Sequence, residues 1–451
     1  MTNIKQSVYN GKFYPKDSIE LDNYFNLIRK DLAKVYDCDT RLIVVPHAGY
    51  FYSGEAAAKT YQYLKNDIKN VFIISPSHYV DVEGLCVPTH DAFSTPLGIS
   101  KVNKEYCKEL SKTDGINYND TAFEKEHAIE VQIPFIQKFA PEAKIIPIVC
   151  NRSETGIIRN IIERFYTNTE NVFVISSDLS HFYPLNEAEK IDTYTANMIE
   201  NQEIKNFHPA QACGAQGIIG AVEFAKEKDF ALIRTVLTTS AAKTNDTTSV
   251  VGYGGWILVE DSKNRFLKKN FSELIINTAL NSIKSGLNSG VLPQIRPNDY
   301  PPVFMEQGAC FVTLETFSQL RGCIGSVIAK RAFIEDLTTN AFNAAFEDPR
   351  FVPLSSDELE NLKISVSLLS SPKEIFFDSE EDLLNKITPY KDGLIIKDNL
   401  YQAVYLPSVW QQLPDKREFL NSLKMKAGLD KNHFSKTFKA YNFTTEYIQE
   451  I

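Results

Sequence analysis

Three runs of four apolar residues in the first half of the chain stop abruptly at loops that carry a histidine. They are Leu42-Ile43-Val44-Val45 before Pro46-His47, Val71-Phe72-Ile73-Ile74 before Ser75-Pro76-Ser77-His78, and Val172-Phe173-Val174-Ile175 before Ser176-Ser177-Asp178-Leu179-Ser180-His181. Runs without polar alternation predict strands buried on both faces, as in a parallel sheet covered by helices. Neighbouring strands in such a sheet lie about 4.8 Å apart, so residues just past their carboxyl ends gather on one edge, where open α/β folds place their ligands. The pattern predicts that His47, His78, His181 and Asp178 meet there as a metal site.

The pattern changes near residue 260. An apolar strand, Val250 to Val259, gives way to Glu260-Asp261-Ser262-Lys263-Asn264-Arg265, after which Leu274, Ile275, Ala279, Leu280 and Ile283 recur at helical spacing between Phe271 and Ser285, ending at Gly286. Six of the seven histidines precede this break and only His433 follows it. We expect a first domain over residues 1–261 and a second over 268–451 that opens with a helix. Ile364-Ser365-Val366-Ser367-Leu368 alternates with period two and predicts a half-buried antiparallel strand, so the first domain reads as α/β and the second as α+β.

Composition narrows the class. With 451 residues, 43% of them hydrophobic and 12% aromatic, the chain can build sizeable cores, and no apolar stretch approaches the length of a membrane span. The start, Met1-Thr2-Asn3-Ile4-Lys5, has no apolar signal segment, and the seven cysteines include no C-x-x-C pair, so a cytoplasmic location with reduced thiols is expected. A formal charge of −9 argues against general nucleic-acid binding.

The site candidates follow from local pattern. Pro46 ends its strand, and Gly49 and Gly54 let backbone approach a ligand closely, with a helix expected near Glu55. Asp178 and His181, three apart, suit either a metal ligand with its partner or an acid orienting a base, if a helical turn starts there. Glu124, His127 and Glu130 share a helix face, which is either solvated or functional. Cys213, flanked by Gly214 at the start of a helix, is either a thiolate favoured by the helix dipole or a small buried residue.

Phe13-Tyr14-Pro15, Pro46-His47-Ala48-Gly49-Tyr50, Ser75-Pro76-Ser77-His78, Thr95-Pro96-Leu97-Gly98, Glu126-His127-Ala128-Ile129-Glu130, Ser177-Asp178-Leu179-Ser180-His181, Cys213-Gly214 and Val251-Gly252-Tyr253 occur in this order. Together they resemble the motifs of the Memo (mediator of cell motility) family, whose fold is similar to the class III extradiol dioxygenases. The resemblance implies a metal held by His47, His78 and Cys213, with Asp178 and His181 lining the pocket. His127 joins His181 and Asp178 as a catalytic candidate, and Tyr50 and Glu130 become pocket candidates. Extradiol enzymes hold iron by two histidines and a carboxylate. Cys213 in place of the carboxylate suits iron first, with copper or zinc as alternatives, so ring cleavage does not carry over from the fold.

In the second half, Leu320-Arg321-Gly322-Cys323-Ile324-Gly325 with Gly308-Ala309-Cys310, Phe346-Glu347-Asp348-Pro349-Arg350 and Tyr405-Leu406-Pro407-Ser408 resembles an AMMECR domain. Arg321 could present a guanidinium to a carboxylate or phosphate with Cys323 as nucleophile, or the glycines could serve only strand geometry. In prokaryotes the two families, with a radical S-adenosylmethionine protein, make up the AmmeMemoRadiSam system. That resemblance implies a radical enzyme on a separate chain as partner. The leading expectation is a metal-dependent oxidoreductase in which His181, supported by Asp178, moves protons. A non-catalytic binder of a peptide or small ligand is the alternative, and a zinc-dependent hydrolase the weaker one.

Overall fold

The unbroken apolar runs become interior strands because neighbours and helices cover both of their faces. In the computed structural model, which describes residues 3–150 and 155–449, nine strands build the main sheet of the first unit, Met1–Lys263. They are Leu42–Val45 (β1), Asn70–Pro76 (β2), Leu85–Val87 (β3), Ile116–Tyr118 (β4), Lys144–Cys150 (β5), Asn171–Ser176 (β6), His181–Tyr183 (β7), Ala231–Thr239 (β8) and Val250–Val259 (β9). The order is β7-β9-β1-β6-β2-β5-β3-β4, with β8 also paired to β9. Every residue of β1, β2 and β6 is buried.

The expectation of a mostly parallel sheet holds for its centre. β1, β6, β2 and β5 run parallel, whereas β9 joins β1, and β3 joins β5, antiparallel, so the whole sheet is mixed. Register decides what meets at the carboxyl edge. Val45 lies opposite Ser176, and Ile74 opposite Ile175, so the loops carrying His47, Asp178 and His78 leave the sheet side by side. The helix expected near Glu55 starts earlier, spanning Tyr50–Tyr61 directly after Gly49.

The second unit, Asn264–Ile451, holds two antiparallel sheets. One contains Ala309–Thr316 (β10), Gln319–Gly325 (β11), Leu362–Leu369 (β12) and Thr445–Gln449 (β17) in the order β11-β10-β12-β17. The other contains Lys373–Ile375 (β13), Gly393–Asp398 (β14), Tyr401–Tyr405 (β15) and Lys439–Phe443 (β16) in the order β13-β16-β14-β15. β12 is an interior strand, and Ile364, Val366 and Leu368 of its alternating stretch are all buried.

The opening helix is longer than its apolar spacing suggested: it spans Lys263–Ser289, with a break at Phe271 (φ −137°, ψ 18°). It passes through Gly286 because the rings of Phe342 and Phe346 press against that position, where a Cβ would lie 2.1 Å from Phe346. Among the described residues no helix is long and apolar enough to cross a membrane.

Each unit has its own apolar interior, so a fragment starting at Asn264 is expected to be folded and to melt in one cooperative transition. Circular dichroism on that fragment is the check. An unfolded fragment, at a temperature where the full chain is folded, would show that the second unit depends on the first.

Candidate metal centre

His47 follows β1 and is almost wholly buried, at 2% exposure. Its backbone N–H donates to Asp178 Oδ1 (2.7 Å), and its Nδ1 lies 3.0 Å from Ser176 Oγ at the end of β6. The Ser176 hydroxyl donates to the Ala128 carbonyl (2.8 Å), so it meets His47 as an acceptor. His47 therefore carries its proton on Nδ1 and turns its Nε2 lone pair toward the Cys213 thiol. Burial, reinforced by His78 and His127, holds its pKa well below the ordinary histidine value, so the ring is neutral.

A buried carboxylate orients the second histidine in the same way. Glu126 accepts the His78 backbone N–H at Oε2 (2.7 Å) and His78 Nδ1 at Oε1 (2.8 Å), leaving His78 Nε2 free. Glu126 also accepts the Ala128 N–H (2.9 Å), capping the short helix His127–Glu130. That cap brings His127 to the same place, with ring centroids 4.4 Å from His78 and 5.3 Å from His47. His127 Nδ1 is buried without a hydrogen-bond partner, and burial pushes the ring's pKa down to about 4.

One donor atom from each of His47, His78 and His127 lies within 4.8 Å of the other two. Among the described residues this is the one such group, and Cys213 is outside it. The thiol is nevertheless adjacent: Sγ lies 3.2 Å from His47 Nε2 and accepts the Asp178 N–H at 3.2 Å. Gly214 allows this approach, since a Cβ there would stand 2.5 Å from the Ser176 carbonyl oxygen. Burial, with Asp178 nearby, drives the thiol pKa well up against the lowering effect of hydrogen bonds from Asp178, Ser177 and Gly214, so the thiolate expected from the helix dipole is not favoured.

Two expectations about Asp178 and His181 need correction. Residues 177–180 are irregular and His181 begins β7, so no helical turn aligns the pair, and no hydrogen bond joins them. Asp178 instead accepts the backbone N–H of His47 and pins that loop. Its burial raises its pKa to about 7, against the lowering effect of the His47 and Ala48 amides. His181 is half-buried, and its charge couples to His47, His78 and His127, which sets it beside the cluster.

Residues 5–257 match the family described as Memo-like protein. The chain belongs to the Memo-like family. A MEMO1 family protein of Aquifex aeolicus is 31% identical over 271 residues, covering 57% of this Memo-like chain and 99% of its own length. Residues 276–448 match the AMMECR1 family. Protein MJ0810 of Methanocaldococcus jannaschii is 36% identical over 156 residues, covering 34% of this chain and 78% of its own. The crystal structure of uncharacterized protein PH0010 from Pyrococcus horikoshii is 33% identical and covers 40% of this chain and 91% of its own, with a TM-score of 0.38.

The remaining candidates of the Memo-like chain lie elsewhere. Tyr50 is a core residue: its hydroxyl donates to the Val131 carbonyl (2.7 Å), and its ring packs on Tyr24 and Phe135. Glu124 and Glu130 fall on separate short helices, Thr121–Glu124 and His127–Glu130, so the expected common face does not form. Glu130 is fully engaged by Lys5, Val8, Tyr9 and Tyr14.

Arg321 and Cys323 belong to the second unit. Arg321 donates twice to Glu358 (2.6 and 3.1 Å), so its charge is already matched. Sequence reasoning passed over Glu126 and Ser176. Their signals were an acid in the position before a helix and a polar residue closing an apolar strand.

Proposed function

We propose that the first unit carries a transition-metal centre and acts as a metal-dependent oxidoreductase related to the class III extradiol dioxygenases. The observation that carries this reading is the convergence of three imidazoles, from buried His47, half-buried His127 and the more exposed His78, whose donor atoms lie within 4.8 Å of one another. His47 and His78 would hold the ion through the nitrogens that Ser176 and Glu126 leave free. The third position falls to His127, which closes the tightest group, or to Cys213, the ligand implied by family resemblance. Bound iron or copper would supply redox chemistry with positions open to substrate or oxygen. His181, beside the cluster but outside it, serves as the group that gives or takes a proton.

A second reading has its own support. Three imidazoles with no carboxylate among them form a ligand set of catalytic zinc sites that activate water, which supports a zinc-dependent hydrolase. Elemental analysis of anaerobically purified full chain, beside His127→Ala and Cys213→Ser, separates the cases. About one ion per chain is expected in the parent. Whichever variant loses it contains the third ligand. A parent that neither holds nor takes up a metal overturns the centre and leaves a pocket for a peptide or small ligand.

Oxygen uptake by the iron-loaded chain over a panel of catechols and thiols then tests the chemistry. His181→Ala is expected to keep the metal and lose uptake. Equal uptake in the variant would remove His181 from the reaction.

A further inference from the structure

The segment Leu320 to Gly325 forms most of β11, and the metal centre makes no use of it. Packing accounts for its glycines: a Cβ at Gly322 would lie 2.0 Å from the Ala344 carbonyl oxygen, and one at Gly325 would lie 2.2 Å from the Phe311 ring. The β10–β11 register accounts for Arg321. It pairs Leu314 with Gly322 and Glu315 with Leu320, so Arg321 is the extra residue of a bulge that turns it to Glu358. Cys323 has no such explanation. Its half-buried thiol meets Thr313 Oγ1 at 3.3 Å and borders a depression of about 470 Å³ within the second unit.

The depression has an apolar floor and an uneven charge. Phe311, Ile324, Val404, Leu406 and Val409 supply the apolar surface. Asp348, buried at 4% exposure, is the acid among the lining residues. It accepts the Cys323 N–H (2.8 Å) and is doubly bonded by Arg350 through Nε (2.9 Å) and Nη2 (2.6 Å), so these two charges cancel. Lys426 remains. Its Nζ donates to the Val404 carbonyl (3.0 Å) and sits over the Tyr405 ring, with no carboxylate partner among the described residues. Burial and the like charge of Arg350 both lower its pKa, as expected for an ammonium lacking a counter-ion.

We propose that this depression binds a small molecule with an apolar body and a single carboxylate. The carboxylate meets Lys426 and the outer edge of Arg350, and the body lies on Phe311, Val404 and Leu406 beside the Cys323 thiol. The volume suits a compact ligand. One uncompensated positive charge selects a monoanion over a dianion such as phosphate.

The test uses two alkylating reagents of similar size, anionic iodoacetate and neutral iodoacetamide, on the full chain. With either one a carbon–sulfur bond forms at cysteine while iodide and the thiol proton leave. Mass spectrometry of the cysteine peptides gives the iodoacetate-to-iodoacetamide rate ratio at Cys323, with half-buried Cys38 of the first unit as reference. The ratio at Cys323 is expected to exceed that at Cys38 by about tenfold. It should fall to the Cys38 value in Lys426→Gln. Octanoate should protect Cys323 saturably, and inorganic phosphate should not.

Equal ratios at the two cysteines, or a Cys323 ratio unchanged in Lys426→Gln, overturn the proposal. Protection by phosphate as strong as that by octanoate overturns its restriction to monocarboxylates. Equilibrium dialysis of octanoate needs no reactive thiol and decides the matter if Cys323 resists both reagents. Binding that Lys426→Gln abolishes supports the site, and binding absent or unchanged in that variant rejects it.

Discussion

Replacing His47 and His78 together by alanine is expected to abolish metal binding while leaving the first unit folded. The two imidazoles are the donors best prepared for a metal. Each has Nδ1 committed, to Ser176 Oγ at 3.0 Å and to Glu126 Oε1 at 2.8 Å, so each is left with Nε2 as its donor, which at His47 faces Cys213 Sγ at 3.2 Å. Neither side chain holds the sheet together. His78 is a quarter exposed, and the backbone N–H groups that dock on Asp178 and Glu126 survive substitution. Elemental analysis beside circular dichroism is the measurement, and unchanged stoichiometry in a folded double variant would falsify the assignment. A graded companion is Glu126→Gln, which keeps both ligands but weakens the orientation of His78. It should cost about 10–100-fold in metal affinity.

What the sequence disclosed, and what it did not, divides along the distance over which each signal acts. A run such as Val172-Phe173-Val174-Ile175 announces a doubly buried strand by itself, because burial on both faces leaves no polar position to interrupt it. The parallel centre of the sheet then obliges the following loops to meet, and so His47 and His78 were legible as neighbours. Side-chain pairing was not legible, since it depends on partners far apart in the chain. Asp178 is three residues from His181 yet bonds the amide of His47, 131 positions away. The contribution of Glu126, rather than Glu124 or Glu130, depends on a helix break at Lys125 (φ −119°, ψ 9°) that spacing alone did not reveal. The Arg321–Glu358 pair was not legible for a related reason: a bulge residue points where the partner strand's register sends it. The antiparallel pairing of β8 and β9 was hidden too, because both strands are mostly buried, like those of the parallel centre.

Glu130→Gln is expected to destabilise the first unit by about 3–5 kcal/mol, the usual cost of removing one partner from a buried ion pair. The Glu130 side chain is 1% exposed and that of Lys5 6%, and they meet at 2.9 Å. The same carboxylate accepts the backbone N–H groups of Val8 (2.9 Å) and Tyr9 (2.7 Å) and the Tyr14 hydroxyl (2.8 Å). Glutamine would leave the Lys5 ammonium buried without a counter-charge and turn an NH₂ group toward donors. The readout is the urea midpoint followed by Trp256, the tryptophan of the first unit, in a Trp410→Phe background that silences the other of the chain's two. A loss below about 1 kcal/mol, the range of an exposed pair, would show that Lys5 and Glu130 are solvated in solution. Adding Lys5→Met should recover part of the loss, because it removes the stranded charge. The consequence reaches the metal centre. Tyr9 and Phe13, on the segment that Glu130 anchors, pack their rings 5.7 and 4.9 Å from that of His127. Loosening the segment removes the wall that fixes this imidazole. If His127 is the third ligand, Glu130→Gln therefore weakens metal binding as well as the fold, whereas with Cys213 in that position affinity in the folded variant stays near the parent value.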